Sequence, residues 1–256
     1  MGLGWQLLGR VSLLATAAGA VSLAQAWSEG FDDVSLLEDA GWLILNHSSP
    51  NPENSTSVFQ GNYHGGMDNP PPVFSAFEGD ENSYAAMNYN STSSGGTIST
   101  WLISPVLNFG AGDAFSFMTR TVSQPQFPDR LEVRISYSGA STDIGLDSDA
   151  VGDFETLLLT VNESLTTTGY PSEWTQFGGL LDGAAGRQGR LAFRYFVPDA
   201  GQNGANSDYI GIDSFEVTQS FANGGELNSA VPEPGTWAAG VAATLLTLRA
   251  WQRSRR

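Results

Sequence analysis

Leu131, Val133, Ile135 and Tyr137 alternate with Glu132, Arg134, Ser136 and Ser138. That period of two predicts a strand with one buried and one wet face. Leu191, Phe193, Tyr195 and Val197 make a second such face, and Phe115, Phe117 and Thr119 part of a third. Further apolar runs at 41–46, 84–89, 97–103, 154–161, 174–181 and 209–218 are separated by loops of Gly, Pro, Asn, Asp and Ser. About nine short strands punctuated this way predict an all-β fold, an antiparallel sandwich of the jelly-roll kind. No repeat of 20–50 residues and no second core interrupts it, so one domain is expected. A long loop from 48 to 81, with five Pro and with Tyr63, His64 and Phe74, is unusual enough to be a functional segment.

Composition narrows the chemistry. Among 256 residues there are 30 Gly and 12 Pro, which favours turns over long helices. All basic residues are Arg, Cys is absent, and His47 and His64 are the two histidines. Schiff-base lysines, thiol nucleophiles, cysteine zinc sites and a P-loop are therefore excluded. A Ser-His-Asp triad would need His47 or His64, and no G-x-S-x-G elbow is present. The many carboxylates make chance pairs inevitable, so a glycan-acting hydrolase has no specific support. The expectation is a protein without catalytic activity. Residues 27–230 hold 6 Arg against 26 Asp and Glu, a net of −20. Such a surface repels nucleic acid and anionic lipid.

The ends read as addresses. Arg10, the apolar run 11–21 and Ala24-Gln25-Ala26 have the order of a signal peptide, residues 1–26, cleaved before Trp27. Residues 220–230 are a flexible linker. Pro232-Glu233-Pro234, the apolar stretch 235–248 and then Arg249, Arg253, Arg255 and Arg256 follow. That series resembles the PEP-CTERM sorting signal at 231–256. The resemblance implies recognition by an exosortase in a Gram-negative bacterium that exports polysaccharide. The stretch has 14 residues, short of the ~20 of a full span, and Arg249 can snorkel to extend it.

Between the ends, Glu29-Gly30-Phe31-Asp32-Asp33 with Gly41-Trp42, Trp101-Leu102-Ile103-Ser104-Pro105 and Asp129-Arg130-Leu131-Glu132-Val133-Arg134-Ile135-Ser136 occur in order. Val151-Gly152-Asp153-Phe154 with Leu157-Leu158, Tyr170-Pro171 with Trp174, and Ile210-Gly211-Ile212-Asp213 complete the series. Together they resemble the choice-of-anchor J domain across residues 28–218. The resemblance implies a single jelly-roll sandwich over 27–219, related to MAM, cleaved-adhesin and galactose-binding-like domains, and a place on the cell surface or in the extracellular matrix. It implies no reaction.

One carboxylate calls for a partner. By the period of two, Asp213 shares a face with Phe215 and Val217 and points to the core unless a bulge intervenes, and a lone buried carboxylate is costly. Arg194 or a backbone amide would satisfy it. Alternatively a structural Ca²⁺ would be held by Asp213 with Glu29 and Asp32, since hard oxygen ligands suit that ion and related jelly rolls clamp their termini so. A second acidic cluster, Asp143, Asp147, Asp149, Asp153 and Glu155, fails the EF-hand pattern at Val151 and Leu158 and reads as a solvated hairpin tip. The expected role is structural or adhesive, with exopolysaccharide as partner. The rival is a carbohydrate-binding module using the 48–81 loop and aromatics such as Trp27, Tyr63, Tyr89 and Trp174. Signal peptidase and exosortase are the processing partners, with the membrane met only through the C-terminal segment.

Overall fold

The alternating runs become strands wherever expected, and three short ones join them. The computed structural model describes residues 25–61, 73–93, 95–181 and 183–219. The strands are β1 (Gln25–Glu29), β2 (Leu43–Asn46), β3 (Phe59–Gln60), β4 (Ala85–Asn88), β5 (Gly96–Ile103) and β6 (Leu107–Asn108). They continue with β7 (Ala114–Thr121), β8 (Leu131–Ser136), β9 (Thr156–Val161), β10 (Thr175–Leu180), β11 (Gln188–Ala200) and β12 (Tyr209–Gln219). All pairings are antiparallel. One sheet runs β10-β7-β12-β4-β3 with β1 beside β12, and the other β2-β5-β11-β8-β9 with β6 beside β11. The protein is an all-β, jelly-roll-like sandwich. The sorting motif, the apolar stretch 235–248, the basic tail and Ala24 lie outside the described residues. Among the described residues no helix is long and apolar enough to cross a membrane.

The core between the sheets takes the faces that the alternation marked. Leu131, Val133 and Ile135 meet Leu191, Phe193, Tyr195 and Val197 from one sheet, with Phe115, Phe117, Ile210, Ile212, Phe215 and Val217 from the other, all buried. Phe193 anchors the middle by edge-on contacts with Phe117 and Phe215, each with ring centroids 5.0 Å apart, a geometry aromatic quadrupoles favour. Burial of this many large side chains is the main source of stability.

Both outer faces are covered as well, where a wet face was expected. Outside the second sheet, Trp101, Ile103 and Ala192 pack under Ile144 and Phe154 of the loop that follows β8. Glu132 on that face is 8% exposed and Arg194 only 1%. The acidic segment 143–155 joins β8 to β9 with Asp143, Asp147, Asp149, Asp153 and Glu155 exposed, as a solvated tip would have them, while Ile144 and Phe154 anchor it as a lid on the sheet. Outside the first sheet, Phe74, Tyr84, Ala86 and Tyr209 form a third cluster, with Trp174 packed against it. Gly211 permits this closeness, because a Cβ there would sit 2.8 Å from the Trp174 ring and 2.9 Å from Phe74 and Tyr84. Phe74 is therefore a core residue and unavailable to a ligand, contrary to its expected place in a binding loop.

A bulge decides the fate of Asp213. The β12–β7 register shifts between Asp213 and Glu216, and Ser214 adopts φ 47°. Ile210 and Ile212 face the inter-sheet core before it, Phe215 and Val217 after it. The spacing of three moves Asp213 to the outer face.

Candidate functional site

Three loops that lie far apart in sequence converge at one end of the sandwich. Residues 122–127 follow β7, residues 201–208 link β11 to β12, and Tyr89 follows β4. They enclose a cleft of about 480 Å³. Tyr89 and Phe127 supply aromatic surface, Gln124, Gln126 and Gln202 supply amides, and Asp208 supplies a carboxylate. Phe127 is 42% exposed, a large ring held at the surface. Sequence reasoning reached Tyr89 but missed the other five. Their local signal, stretches rich in Gln, Gly, Asn and Ser, marks loops without telling which loops meet.

The cleft is braced from below. Asp129, 1% exposed, accepts hydrogen bonds from the Thr121 hydroxyl at 2.6 Å, the Tyr195 hydroxyl at 2.5 Å and the Asp208 backbone N–H at 2.8 Å. Burial raises the Asp129 carboxyl above its ordinary range while these donors pull it back. The same burial drives the Tyr195 hydroxyl well above its usual value. The Tyr89 N–H bonds the Asp208 carbonyl at 3.0 Å, and the Ser207 N–H bonds the Pro128 carbonyl at 2.9 Å, so the three loops are tied together. Gln124, Asp199 and Ser207 adopt φ of 56°, 48° and 76°. Left-handed backbone in non-glycine residues is a strain that the surroundings must hold, and it gathers at binding sites.

Asp208 differs from its neighbours. Its carboxylate has no hydrogen-bonding partner among the described residues, and burial, reinforced by the charge of Asp129, pushes its pKa up to about 6. A raised carboxyl favours folding when protonated. Its stabilising contribution is complete below the ordinary value near 3.8 and is lost as pH rises through about 6. Asp208→Asn removes that loss. The variant is expected to melt about 2–4 °C above the wild type at pH 7.5, and level with it at pH 4, in thermal unfolding curves.

The acidic residues of the sequence reading lie elsewhere. Asp213 is buried and satisfied by amides: Phe77 and Glu78 donate to Oδ2 at 2.8 and 3.2 Å, and Ser214 N–H donates to Oδ1. This is the backbone-amide solution, and Arg194 plays no part in it. Glu29 Oε1 accepts from the Phe31 N–H at 2.9 Å. Asp32 approaches the same turn that caps Asp213, with Oδ1 2.8 Å from the Cβ position of Gly79. Among the described residues, no three His, Cys, Asp or Glu side chains form a group that could hold a metal ion. Trp27 packs against Trp42 and Phe215, and Trp174 donates its indole N–H to the Ser75 carbonyl at 2.8 Å. Tyr63 and His64 lie outside the described residues. The last cleavage residue, Ala26, stands in β1 opposite Thr218. A cut after it would keep the pairs of Trp27, Ser28 and Glu29 with Val217, Glu216 and Phe215.

No family model and no curated protein matches the chain. Solved structures do resemble it. The K1 cleaved adhesin domain of Lys-gingipain from Porphyromonas gingivalis W83 is 17% identical, with 77% of this chain and 99% of that one covered and a TM-score of 0.49. The K2 cleaved adhesin domain of Lys-gingipain is 16% identical over 76% and 100%, with a TM-score of 0.47. TmCBM61, solved in complex with β-1,4-galactotriose, is 12% identical over 75% and 99%, with a TM-score of 0.41. At these values the likeness carries no functional inference.

Proposed function

We propose that the protein is a non-catalytic adhesive domain, exported and displayed at the surface of a Gram-negative bacterium, which holds polysaccharide in the cleft between residues 122–127 and 201–208. The chemistry of that cleft carries the reading. Sugar rings present an apolar C–H face that stacks on aromatic surface, and hydroxyls that both donate and accept. Tyr89 and Phe127 offer the first, and Gln124, Gln126, Gln202 and Asp208 the second. The bracing by Asp129 keeps these groups in place before a ligand arrives, which lowers the ordering cost of binding. Export rests on the signal at 1–26, and sorting by exosortase on Pro232-Glu233-Pro234 with the apolar and Arg-rich segments after it. Secreted protein without the motif-bearing tail would show directly whether that tail is needed for surface display.

Phe127→Ala tests the cleft. It removes an exposed ring, so stability is expected to change by less than about 1 kcal/mol. Binding to the polysaccharide of the producing organism, measured by retention in affinity electrophoresis, is expected to weaken at least tenfold, as loss of one stacking platform implies. Retention of the variant equal to that of the wild type would overturn this placement of the site.

A further inference from the structure

Resting on the polysaccharide reading, we infer that the cleft selects glycans bearing a free amine, with the Asp208 carboxylate as the partner of the ammonium group. Three observations converge on this. First, among the described residues Asp208 is the one lining group with a formal charge and its carboxylate lacks a hydrogen-bonding partner. A half-buried acceptor of that kind gains most from a charged donor. Second, nothing in the lining repels a cation. The side chains facing Asp208 from residues 122–127, from 201–207 and from Tyr89 are uncharged. The acid beneath them, Asp129, adds negative potential. Arg130, its chain neighbour, is directed elsewhere, donating to the Phe196 carbonyl at 2.9 Å with its guanidinium 4.8 Å from the Phe196 ring. Tyr195 faces Asp129 as a neutral phenol. Third, Tyr89 and Phe127 line the same cleft, and aromatic rings attract an ammonium group as well as a sugar face.

The rest of the domain favours the same ligand. Residues 27–230 carry a net of −20, a field that draws cationic polymers and repels uronate- or sulfate-bearing ones. Among the described residues no Arg lines the cleft, so no cation there pairs with an anionic sugar. Asp208 thereby acts as a specificity residue, separating glucosamine-type units from their N-acetylated counterparts. The acetylated sugar retains the stacking face and most hydroxyls, and loses only the charge.

Isothermal titration of the full-length protein with a glucosamine pentamer, an N-acetylglucosamine pentamer and a galacturonate pentamer, at pH 7 and pH 5, decides it. The glucosamine pentamer is expected to bind at least tenfold tighter than the acetylated one at pH 7, the size of a charge-assisted hydrogen bond. That advantage is expected to shrink at pH 5, as Asp208 protonates, and to vanish in Asp208→Asn, where the two pentamers are expected to bind equally. The galacturonate pentamer is expected not to bind. Equal binding of the two glucosamine pentamers, both lost in Phe127→Ala, would overturn the amine selectivity and leave the polysaccharide reading intact. Binding of none of the three, nor of the producing organism's polysaccharide, would overturn both. Preference for the amine that persists in Asp208→Asn would remove Asp208 from the role.

Discussion

Arg194→Met is expected to cost about 3–5 kcal/mol of folding free energy, the range for breaking a buried ion pair from one side. The guanidinium is almost wholly enclosed. Its Nε donates to Ser99 Oγ at 3.2 Å, its Nη1 to Glu132 Oε2 at 3.2 Å and its Nη2 to the Ser148 carbonyl at 2.5 Å. The Phe196 ring lies 3.8 Å away, and the Trp101 ring 5.0 Å. Burial lowers the Arg194 pKa to about 10, with Glu132 opposing the shift, so the group stays charged at neutral pH. Met fills the volume and leaves Glu132 with Arg134 alone, whose Nε donates at 2.7 Å. The 143–155 lid loses its tie to the sheet at Ser148. Chemical denaturation of Arg194→Met, Glu132→Gln and the double variant measures the effect. A coupling between the two of at least about 1 kcal/mol is expected, and a cost below that in Arg194→Met would show the network to be dispensable.

Asp213→Ala comes next, with an expected loss of about 2–4 kcal/mol, because it strands three amide donors at once. Oδ2 serves Phe77 and Glu78, and Oδ1 serves Ser214, so the carboxylate joins the bulge of β12 to the segment that covers the first sheet. Asp213→Asn keeps one acceptor and turns an NH₂ toward the donors, so it is expected to fall between the wild type and Ala. Burial raises the Asp213 pKa to about 6 against the pull of the amides. Its contribution is therefore greatest in acid and declines as pH rises through about 6, and the gap between wild type and Ala is expected to widen between pH 7 and pH 5. Melting curves in Ca²⁺ and in EDTA settle the calcium expectation in the same experiment. A wild-type Tm that rises with Ca²⁺ only while Asp213 is present would bring Glu29 and Asp32 back as its ligands.

The strands were legible because alternation is a local property. Leu131 to Tyr137 carries the whole signal in seven consecutive residues, and the buried face follows directly. The three strands it leaves out fail for local reasons: β3 and β6 are two residues long, and β1 begins inside what reads as a leader. Positions where the period is broken were illegible. The bulge at Asp213 turns on Ser214 accepting a left-handed φ, which no neighbour announces. The outer faces misled for a different reason. Glu132 and Arg194 look like solvent residues, and only their pairing across β8 and β11, residue opposite residue, makes their burial affordable. The cleft was least visible, since Phe127, Gln202 and Tyr89 come from loops that only the sheet order brings together.

The cleft and the C-terminal end of the described chain occupy opposite ends of a single strand. Asp208 immediately precedes β12, and the strand runs to Gln219, about 35 Å further on at the usual rise per residue. β12 is held by β7 along one side and by β4 and then β1 along the other. A pull between captured polysaccharide and a tether beyond Gln219 would travel lengthwise through it. The hydrogen bonds on both flanks lie across that direction, so they must shear together instead of opening one at a time. If the cleft holds polysaccharide and the chain is anchored beyond Gln219, this strand would also be the mechanical spine of the attachment, suited to bearing drag.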